Sequence, residues 1–252
     1  MSPPMNNRET GSVLILGATS DIGRAIAHAY AKAGRPVILA ARQVQRLEPD
    51  LKDIAIRYGV TALLAEFDVL DTTKHGAFLD SLGELPGTII CVVGFMGDQA
   101  ESEKDPIAAE KVMRSNYAGP ASILAVAANR MAARGHGVLI GISSVAGDRG
   151  RARNYVYGSA KAGFSAYLSG MRQRLSGSGV SVITVKPGYV ATRLTAGMNL
   201  PKALTAQPGE VAQAVLDAEL KGRDVIYVRP VWRLVMAIIC ALPERIFKKT
   251  KF

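Results

Sequence analysis

The sequence predicts an α/β fold: a doubly wound parallel sheet of about seven strands, built as a single domain over residues 1–252. Short apolar runs rich in Val, Ile and Leu alternate with longer segments that carry apolar residues at helical spacing. The runs lack polar alternation, which is typical of strands buried on both faces of a parallel sheet. No linker-like tract and no internal repeat divides the chain, and its 48% hydrophobic and 21% charged residues form an ordinary globular composition.

The predicted elements follow one another between Gly, Pro and acidic residues. The strands are Val13–Gly17, Pro36–Ala41, Thr61–Phe67, Thr88–Gly94, Gly137–Ser143, Val180–Lys186 and Asp224–Val228. The clearest helices are Ile22–Ala33, Val112–Ala133 and Ala160–Leu175. The segment from Ala191 to Gln207 is interrupted by glycine, asparagine and proline, so it is predicted to be the loosest part and either a substrate lid or an ordinary surface loop.

The net charge and the two cysteines restrict the kinds of partner, metal site and cellular location that the chain is expected to have. The chain has 31 Lys and Arg against 21 Asp and Glu, a net charge of +10, which suits nucleic acid, a membrane surface or an acidic substrate. Nucleic-acid binding is not predicted, because aromatic residues are only 6% and no recognition motif appears. Cys91 and Cys240 lack metal-ligand spacing and are expected to be buried free thiols, with no metal site. Residues 1–10 show no secretory signal and no apolar stretch reaches spanning length, so a cytoplasmic location is expected.

A glycine-rich turn follows the first predicted strand. It reads Gly17-Ala18-Thr19-Ser20-Asp21-Ile22-Gly23 and leads into a helix. Such a turn directs free backbone N–H groups and the helix dipole at an anion, as in the pyrophosphate site of a Rossmann-like fold, although similar turns also occur without a ligand. The cofactor-binding candidates in this turn are Gly17, Thr19, Ser20, Asp21, Ile22 and Gly23.

The residues after the next two strands bear on the choice of dinucleotide. A carboxylate at the end of the second strand would bind the ribose hydroxyls of NAD, but the chain has Ala40-Ala41-Arg42 there. The guanidinium of Arg42 suits a 2′-phosphate and favours NADP over NAD, with a solvated arginine as the alternative. Asp68, followed by Val69, is placed either to meet the adenine or to cap the next turn.

A serine, a tyrosine and a lysine form the strongest catalytic pattern. Tyr157 and Lys161 are four residues apart on a predicted helix and share one face, so the ammonium is expected to lie near the phenol and lower its pKa. Ser144, thirteen residues before Tyr157, ends the preceding strand and is placed to donate a hydrogen bond to a carbonyl. The spacing to Lys161 selects Tyr157 over Tyr155.

These motifs resemble the short-chain dehydrogenase/reductase family over nearly the whole chain, because they occur in its order and approximate spacing. The resemblance implies that Asn116, in Ser115-Asn116-Tyr117-Ala118-Gly119, holds a proton-relay water. It implies that Ser144, thirteen residues before Tyr157, orients a ketone, and it selects Ser144 over the neighbouring Ser143. It also implies that Tyr157 transfers the proton and that Lys161 binds the nicotinamide ribose. The cofactor-binding residues that it further implies are Gly94, Pro187, Gly188, Val190 and Thr192. The chain departs from the family after the fourth strand, where Cys91-Val92-Val93-Gly94-Phe95-Met96-Gly97 lacks bracing side-chain amides.

Within the family, the stretch from Ser143 to Gly163 and the basic, apolar C-terminus resemble the reductase subunit of decaprenylphosphoryl-ribose 2-epimerase. That implies reduction of a 2-keto sugar on a polyprenyl phosphate in cell-envelope polysaccharide biosynthesis, with a flavoprotein oxidase as partner. Arg149, Arg151 and Arg153 are candidates for binding the substrate phosphate, or else form a solvated loop or a subunit contact. The alternative functions are a 3-ketoacyl-carrier-protein reductase, another soluble ketone reductase, and a non-enzymatic dinucleotide-binding regulator.

Residues 231–252 join an apolar stretch containing Trp232 to a run of basic residues. An apolar segment with basic neighbours and a Trp suits peripheral attachment to a membrane surface. Packing in a homo-oligomer, a dimer or tetramer, would explain the apolar part but not the basic run.

Overall fold

The computed structural model describes residues 11–197 and 199–250, so the expectations for residues 1–10 and for the last two residues of the segment 231–252 fall outside the described part. The strands are β1 (Val13–Leu16), β2 (Val37–Ala41), β3 (Ala62–Glu66), β4 (Thr88–Cys91), β5 (Gly137–Ile142), β6 (Val180–Pro187), β7 (Tyr189–Val190), β8 (Thr205–Ala206) and β9 (Val225–Val228). Seven of them form one parallel sheet in the order β3-β2-β1-β4-β5-β6-β9, and β7 pairs with β8. The predicted doubly wound sheet is confirmed.

Helices cover both faces of this sheet. They are α1 (Asp21–Lys32), α2 (Glu48–Tyr58), α3 (His75–Ser81), α4 (Gln99–Ser102), α5 (Pro106–Met113), α6 (Gly119–Arg134), α7 (Tyr155–Arg174), α8 (Pro208–Leu220), α9 (Val231–Ala241) and α10 (Glu244–Phe247). Alternate residues of β1 point into two separate cores: Ile15 packs in the core that holds α1 and α8, and Leu16 in the core that holds α6 and α7. This explains why the central strands are continuous apolar runs.

Burial on both faces holds for the central strands but not for the two edges. All residues of β1 and β4 are buried, whereas Leu63 of β3 is 54% exposed and Val225 of β9 is 46% exposed. An edge strand lacks a neighbour on one side, so the covering helices reach only part of it. The prediction of full burial is therefore wrong for β3 and β9.

The single helix predicted over Val112–Ala133 is interrupted. The chain forms α5, then a π-helical turn over Arg114–Ala118, then α6. Pro120 has no N–H to donate to the carbonyl of Asn116, so the regular hydrogen-bond ladder cannot run through this point. Asn116, which is fully buried, lies within this π-helical turn, just before α6.

The two cysteines differ in exposure. Cys91 is buried, but Cys240 is exposed because it lies on a solvent-facing part of α9, so the prediction of two buried thiols is wrong for Cys240. Within residues 11–197 and 199–250, no helix is both long enough and apolar enough to cross a membrane. The same residues contain no group of three or more His, Cys, Asp or Glu side chains that could hold a metal ion.

Candidate active site

The glycine turn after β1 is built by close backbone contacts. Gly17 has φ +92°, and a Cβ there would lie 3.0 Å from the Val93 nitrogen; a Cβ at Gly23 would lie 2.7 Å from the Gly17 carbonyl oxygen. The Ser20 hydroxyl accepts from the Gly23 N–H at 3.0 Å and donates to the Gly17 carbonyl at 2.9 Å. The N–H groups of the first turn of α1 have no intrahelical acceptor, so this end of the helix fits the pyrophosphate of a dinucleotide.

Asp21 has a different role from the predicted direct contact with the cofactor. Its carboxylate accepts from the Arg193 backbone N–H at 2.7 Å and from Arg193 Nε at 2.9 Å. Arg193 Nη2 also donates to the Thr19 carbonyl at 2.6 Å. These hydrogen bonds, here called the Arg193 latch, hold the segment after β7 against the glycine turn. The negative charge of Asp21 is paired with Arg193 and does not face a phosphate.

The segment Ala191 to Gln207 is also held at its far end. Residues 205–206 form β8, and the Leu204 carbonyl accepts from Trp232 Nε1 at 3.0 Å. The half-buried Arg229 forms a bidentate ion pair with Glu210 and donates to the carbonyls of Lys202 and Ala203. The predicted looseness is thus restricted to the stretch between the Arg193 latch and these contacts.

At the adenosine end, the structure adds an acid that the sequence interpretation missed. Arg42 is exposed directly after β2, and none of the salt bridges among the described residues involves it. Glu66, at the end of β3, accepts from the backbone N–H groups of Gln43 and Val44 at 3.0 and 3.2 Å. The pairing of Ala41 with Glu66 in neighbouring strands brings the acid there, and strand register was the only signal that could have indicated it.

Asp68 adopts the turn-capping arrangement that was one of its two predicted roles. Its Oδ1 accepts from the Leu70 N–H at 2.9 Å. Val69 is buried, and a Cβ on Gly119 would lie only 2.3 Å from the Val69 carbonyl oxygen. A contact of either residue with adenine stays a prediction.

Ser144 and Tyr157 are brought together by two glycines. After β5 the chain forms a short 3₁₀ turn over Val145–Gly147 that packs directly on α7. A Cβ on Gly147 would lie 2.7 Å from the Ala162 nitrogen, and one on Gly158 would lie 2.8 Å from the Ala146 carbonyl oxygen. These contacts hold Ser144 beside α7, where its side chain is close enough to Tyr157 to lower the pKa of the phenol.

The electrostatics of this pair differ from the sequence expectation. Burial raises the pKa of Tyr157 to about 12, while the hydrogen bond with Ser144 lowers that pKa in part. Lys161 does not reach the phenol oxygen: its Nζ donates to the Ile142 carbonyl at 3.0 Å and lies 5.8 Å from the centre of the Tyr157 ring. Burial lowers the pKa of Lys161 to about 8. The expectation that Lys161 lowers the Tyr157 pKa is therefore wrong, since burial and Ser144 are the causes of the shift.

Ser143 and Tyr155, the neighbours that were not selected, have different surroundings from Ser144 and Tyr157. The Ser143 hydroxyl is buried, donates to the Lys161 carbonyl at 3.0 Å and lies 2.7 Å from the Ser165 hydroxyl. Tyr155 begins α7 and is 46% exposed. Ser143 thus packs the strand against α7, and Ser144 is the serine whose side chain lowers the pKa of Tyr157.

Asn116 supplies the bracing that the segment after β4 lacks. Its Nδ2 donates to the carbonyls of Phe95 and Val112, and its Oδ1 accepts from the Phe95 N–H at 3.3 Å. A Cβ on Gly94 would lie 3.5 Å from Asn116 Oδ1 and 3.9 Å from Lys161 Nζ. Gly94, Asn116 and Lys161 therefore line one side of the site.

The residues expected to flank the nicotinamide lie at and beyond the end of β6. The Pro187 carbonyl accepts from the Ser144 hydroxyl at 3.5 Å, and Val190 is buried in β7. Thr192 caps a short turn and exchanges hydrogen bonds with Thr195. Gly188 has a second, unpredicted role, because a Cβ there would lie 2.0 Å from the indole ring of Trp232.

The structure corrects the role of Arg149. Its Nη1 donates to the carbonyls of Ile239 and Leu242, both at 2.6 Å, and its Nη2 pairs with Glu244 at 2.8 Å. Its guanidinium carbon lies 3.7 Å from the centre of the Phe247 ring. Because these acceptors occupy its donor fork, Arg149 holds the C-terminal segment to the Ser144 loop instead of offering itself to a substrate phosphate.

Arg151 and Arg153 line a cavity of about 370 Å³ together with Phe247 and Lys248. The Nε of Arg151 is buried and has no hydrogen-bond partner among the described residues. The wall also includes Glu244, which pairs with Arg149. The cavity therefore lies beside the loop between Ser144 and Tyr157 and is lined by several cationic side chains and one aromatic ring.

A buried ionic network supports the same loop and was not predicted. Asp148 Oδ1 lies 2.6 Å from Lys186 Nζ, and the Tyr227 hydroxyl donates to Asp148 Oδ2 at 2.9 Å. The network ties the residue after Gly147 to β6 and β9. Nothing in the local sequence distinguished Asp148, because its partners are 38 and 79 residues away.

Comparisons with known proteins agree with this geometry. A family model described as short chain dehydrogenase matches residues 11–203. The uncharacterized oxidoreductase Rv2073c of Mycobacterium tuberculosis is 34% identical over 249 residues, 97% of this chain and 99% of that protein. The 3-oxoacyl-acyl-carrier-protein reductase FabG of Aquifex aeolicus is 29% identical over 81% of this chain and 87% of its own length.

A solved structure shares the fold. A short-chain dehydrogenase from Sphingobium yanoikuyae in complex with NADPH superposes with a TM-score of 0.78 over 92% of this chain and 96% of that chain, at 22% identity. The family model covers most of the chain, and the mycobacterial relative matches almost all of it. This chain therefore belongs to the short-chain dehydrogenase/reductase family and is an NAD(P)-dependent oxidoreductase acting on CH–OH or C=O groups.

Proposed function

We propose that this protein is an NADPH-dependent reductase that converts a ketone to a secondary alcohol. The observation that carries the proposal is the placement of Ser144 beside Tyr157, at the end of the sheet that also holds the glycine turn. With a pKa of about 12, Tyr157 is protonated at neutral pH, the form needed to give a proton to a carbonyl oxygen.

The protein's own groups then act in sequence. Bound NADPH supplies the hydride for the ketone carbon. The Ser144 hydroxyl donates a hydrogen bond to the ketone oxygen, and Tyr157 transfers its proton as negative charge develops there. Lys161, with a pKa of about 8, keeps most of its positive charge at neutral pH and stabilises the phenolate that forms. The carbonyl of Asn116, which Pro120 cannot bond, accepts from a water that returns the proton.

Each part of the dinucleotide has residues suited to hold it. The first turn of α1 takes the pyrophosphate, Asp68 and Val69 lie at the adenine end, and Gly94, Lys161 and the Pro187–Thr192 stretch lie at the nicotinamide end. Arg42 is the group for a 2′-phosphate, since it is exposed after β2 and has no salt bridge within the described chain. Arg42→Ala should therefore raise the Kd for NADPH by about tenfold or more and leave that for NADH nearly unchanged. Equal losses for the two cofactors would remove Arg42 from this role.

For the substrate, we propose a 2-keto sugar on a polyprenyl phosphate, made from the alcohol by a flavoprotein oxidase. The cavity beside the Ser144 loop supports this choice, because Arg151, Arg153 and Lys248 suit a phosphate and Phe247 offers an apolar contact. A 3-ketoacyl group on an acyl carrier protein is the second candidate, favoured by the similarity to FabG and by the net charge of +10, which would attract an acidic carrier. Assembly into a homo-oligomer stays a prediction.

The catalytic assignment is tested by replacing Tyr157 with Phe. Ketone reduction, followed as NADPH oxidation, should fall by roughly 10²–10⁴-fold, because the proton donor is lost. Tyr155→Phe is the matched control, since Tyr155 lies two residues away, is exposed and should be dispensable. NADPH binding, measured by fluorescence, should change little in either variant. Turnover retained by Tyr157→Phe would overturn the assignment.

The same assay distinguishes the substrates. A polyprenyl-phosphate keto-sugar, a 3-ketoacyl carrier protein and simple soluble ketones are compared at matched NADPH. Arg151→Gln with Arg153→Gln should raise KM for the phosphate-bearing sugar by about tenfold or more and leave KM for a neutral ketone unchanged. Preference for the acyl carrier substrate would replace the lipid-linked sugar while leaving the reductase assignment intact.

A further inference from the structure

The outer face of α9 is apolar and uncovered. On its inner face, Trp232, Met236 and Ile239 are buried in one cluster with Val145. On the opposite face, Val231, Leu234 and Ile238 are 43%, 63% and 58% exposed, and their spacing of three and four residues places them in one row. A helix at a protein surface normally turns polar residues to water, so apolar residues on both faces indicate a second contact.

This outer row, Val231, Leu234 and Ile238, is held in a fixed orientation by the folded body. Trp232 packs on Gly188 and donates to the Leu204 carbonyl, while Arg149 binds the carbonyls of Ile239 and Leu242 at the end of the helix. Trp232 itself is 3% exposed and is therefore not available for an outside contact. The residues available for an outside contact are those of the outer row.

The charge of the surrounding chain selects the partner. We infer that the outer row of α9 docks on a membrane surface rich in anionic lipid. Arg233 lies on α9 itself, and Arg245, Lys248 and Lys249 follow around Ile246, which is 53% exposed. None of the salt bridges among the described residues involves these four cations, and the acid among them, Glu244, pairs with Arg149.

An apolar row accompanied by unpaired cations suits an anionic interface. A second copy of the chain is disfavoured as the occupant, because a two-fold interface centred here would bring the same cations of both copies together. The inference does not depend on the ketone or on the proposed substrate. A failure of membrane binding would leave the reductase assignment standing.

Vesicle co-sedimentation of the full chain tests the inference. Vesicles of phosphatidylcholine, with and without phosphatidylglycerol, are compared at low and high salt. The full chain should bind the phosphatidylglycerol vesicles, and Leu234→Ser with Ile238→Ser should lower the partition coefficient at least ~tenfold. The matched control is Ile107→Ser with Leu220→Ser, which replaces an equally exposed pair of apolar residues elsewhere and should bind like the parent. Because all four side chains are exposed, the Tm of both variants should match the parent.

The charge arm uses Arg245→Gln with Lys249→Gln and leaves Lys248, which lines the substrate cavity, untouched. Binding to phosphatidylglycerol vesicles should fall about fivefold for each charge removed, and high salt should erase the difference. Three results would overturn the inference: no sedimentation of the parent, equal losses in the Ile107 and Leu220 control, or a solution dimer that the Leu234 and Ile238 variant dissociates. Deleting residues 231–252 is a poor test, since it would also uncover Gly188 and Val145.

Discussion

The contact between Gly188 and Trp232 leads to a prediction that can be worked from distances. A Cβ on Gly188 would lie 2.0 Å from Nε1 and Cε2 of Trp232, whereas nonbonded carbon atoms rest about 3.5–4.0 Å apart. Gly188→Ala must therefore move the indole ring by about 1.5 Å and weaken its 3.0 Å hydrogen bond to the Leu204 carbonyl. Overpacking of about 1–3 kcal/mol and a lost hydrogen bond of about 1 kcal/mol lower the free energy of unfolding by about 2–4 kcal/mol.

Thermal unfolding measures this loss. At about 3 °C per kcal/mol for a chain of this size, the Tm of Gly188→Ala should fall by roughly 6–12 °C. Gly209→Ala is the control, since a Cβ there meets nothing within 4 Å, and its Tm should stay near that of the parent. Adding Trp232→Leu to Gly188→Ala should cost less than the sum of the two single changes by about 1 kcal/mol or more, because the ring that clashes is gone. A Gly188→Ala protein that melts within about 2 °C of the parent would refute the packing argument.

Three further predictions concern charged residues. Because Lys161 has a pKa of about 8 and is charged below that value, kcat/KM for ketone reduction should fall as pH rises through about 8; a profile that stays flat well above this pH would contradict the role of its charge. Glu219→Gln breaks the buried pair with Arg35, 3.3 Å apart, and should cost about 3–5 kcal/mol in thermal unfolding while leaving NADPH binding unchanged. Arg193→Ala opens the latch to Asp21 and should speed NADPH dissociation roughly fivefold in stopped-flow fluorescence, and an unchanged rate would show that the latch does not hold the cofactor.

Local chemistry was enough to predict the main sheet and to single out the residues proposed for the site. The seven strands of the main sheet lie where the apolar runs predicted them, because a strand buried on both faces needs a continuous apolar run whatever surrounds it. The errors fall where tertiary context decides. Leu63 and Val225 read as core residues but lie on edge strands, and Pro120 breaks a helix whose apolar spacing continues through it.

The sequence by itself determined the order of the elements, the glycine turn and the spacing of Ser144, Tyr157 and Lys161, because each depends on residues close together in the chain. Only the tertiary structure decided which charges meet. Arg149 binds the C-terminal segment, 90 to 95 residues away in the chain, and Asp21 pairs with Arg193. Lys161 donates to the Ile142 carbonyl and does not bond the phenol of Tyr157. A hydrogen bond needs its donor and acceptor within about 3 Å of each other, and only the fold decides which distant backbone and charged groups come that close.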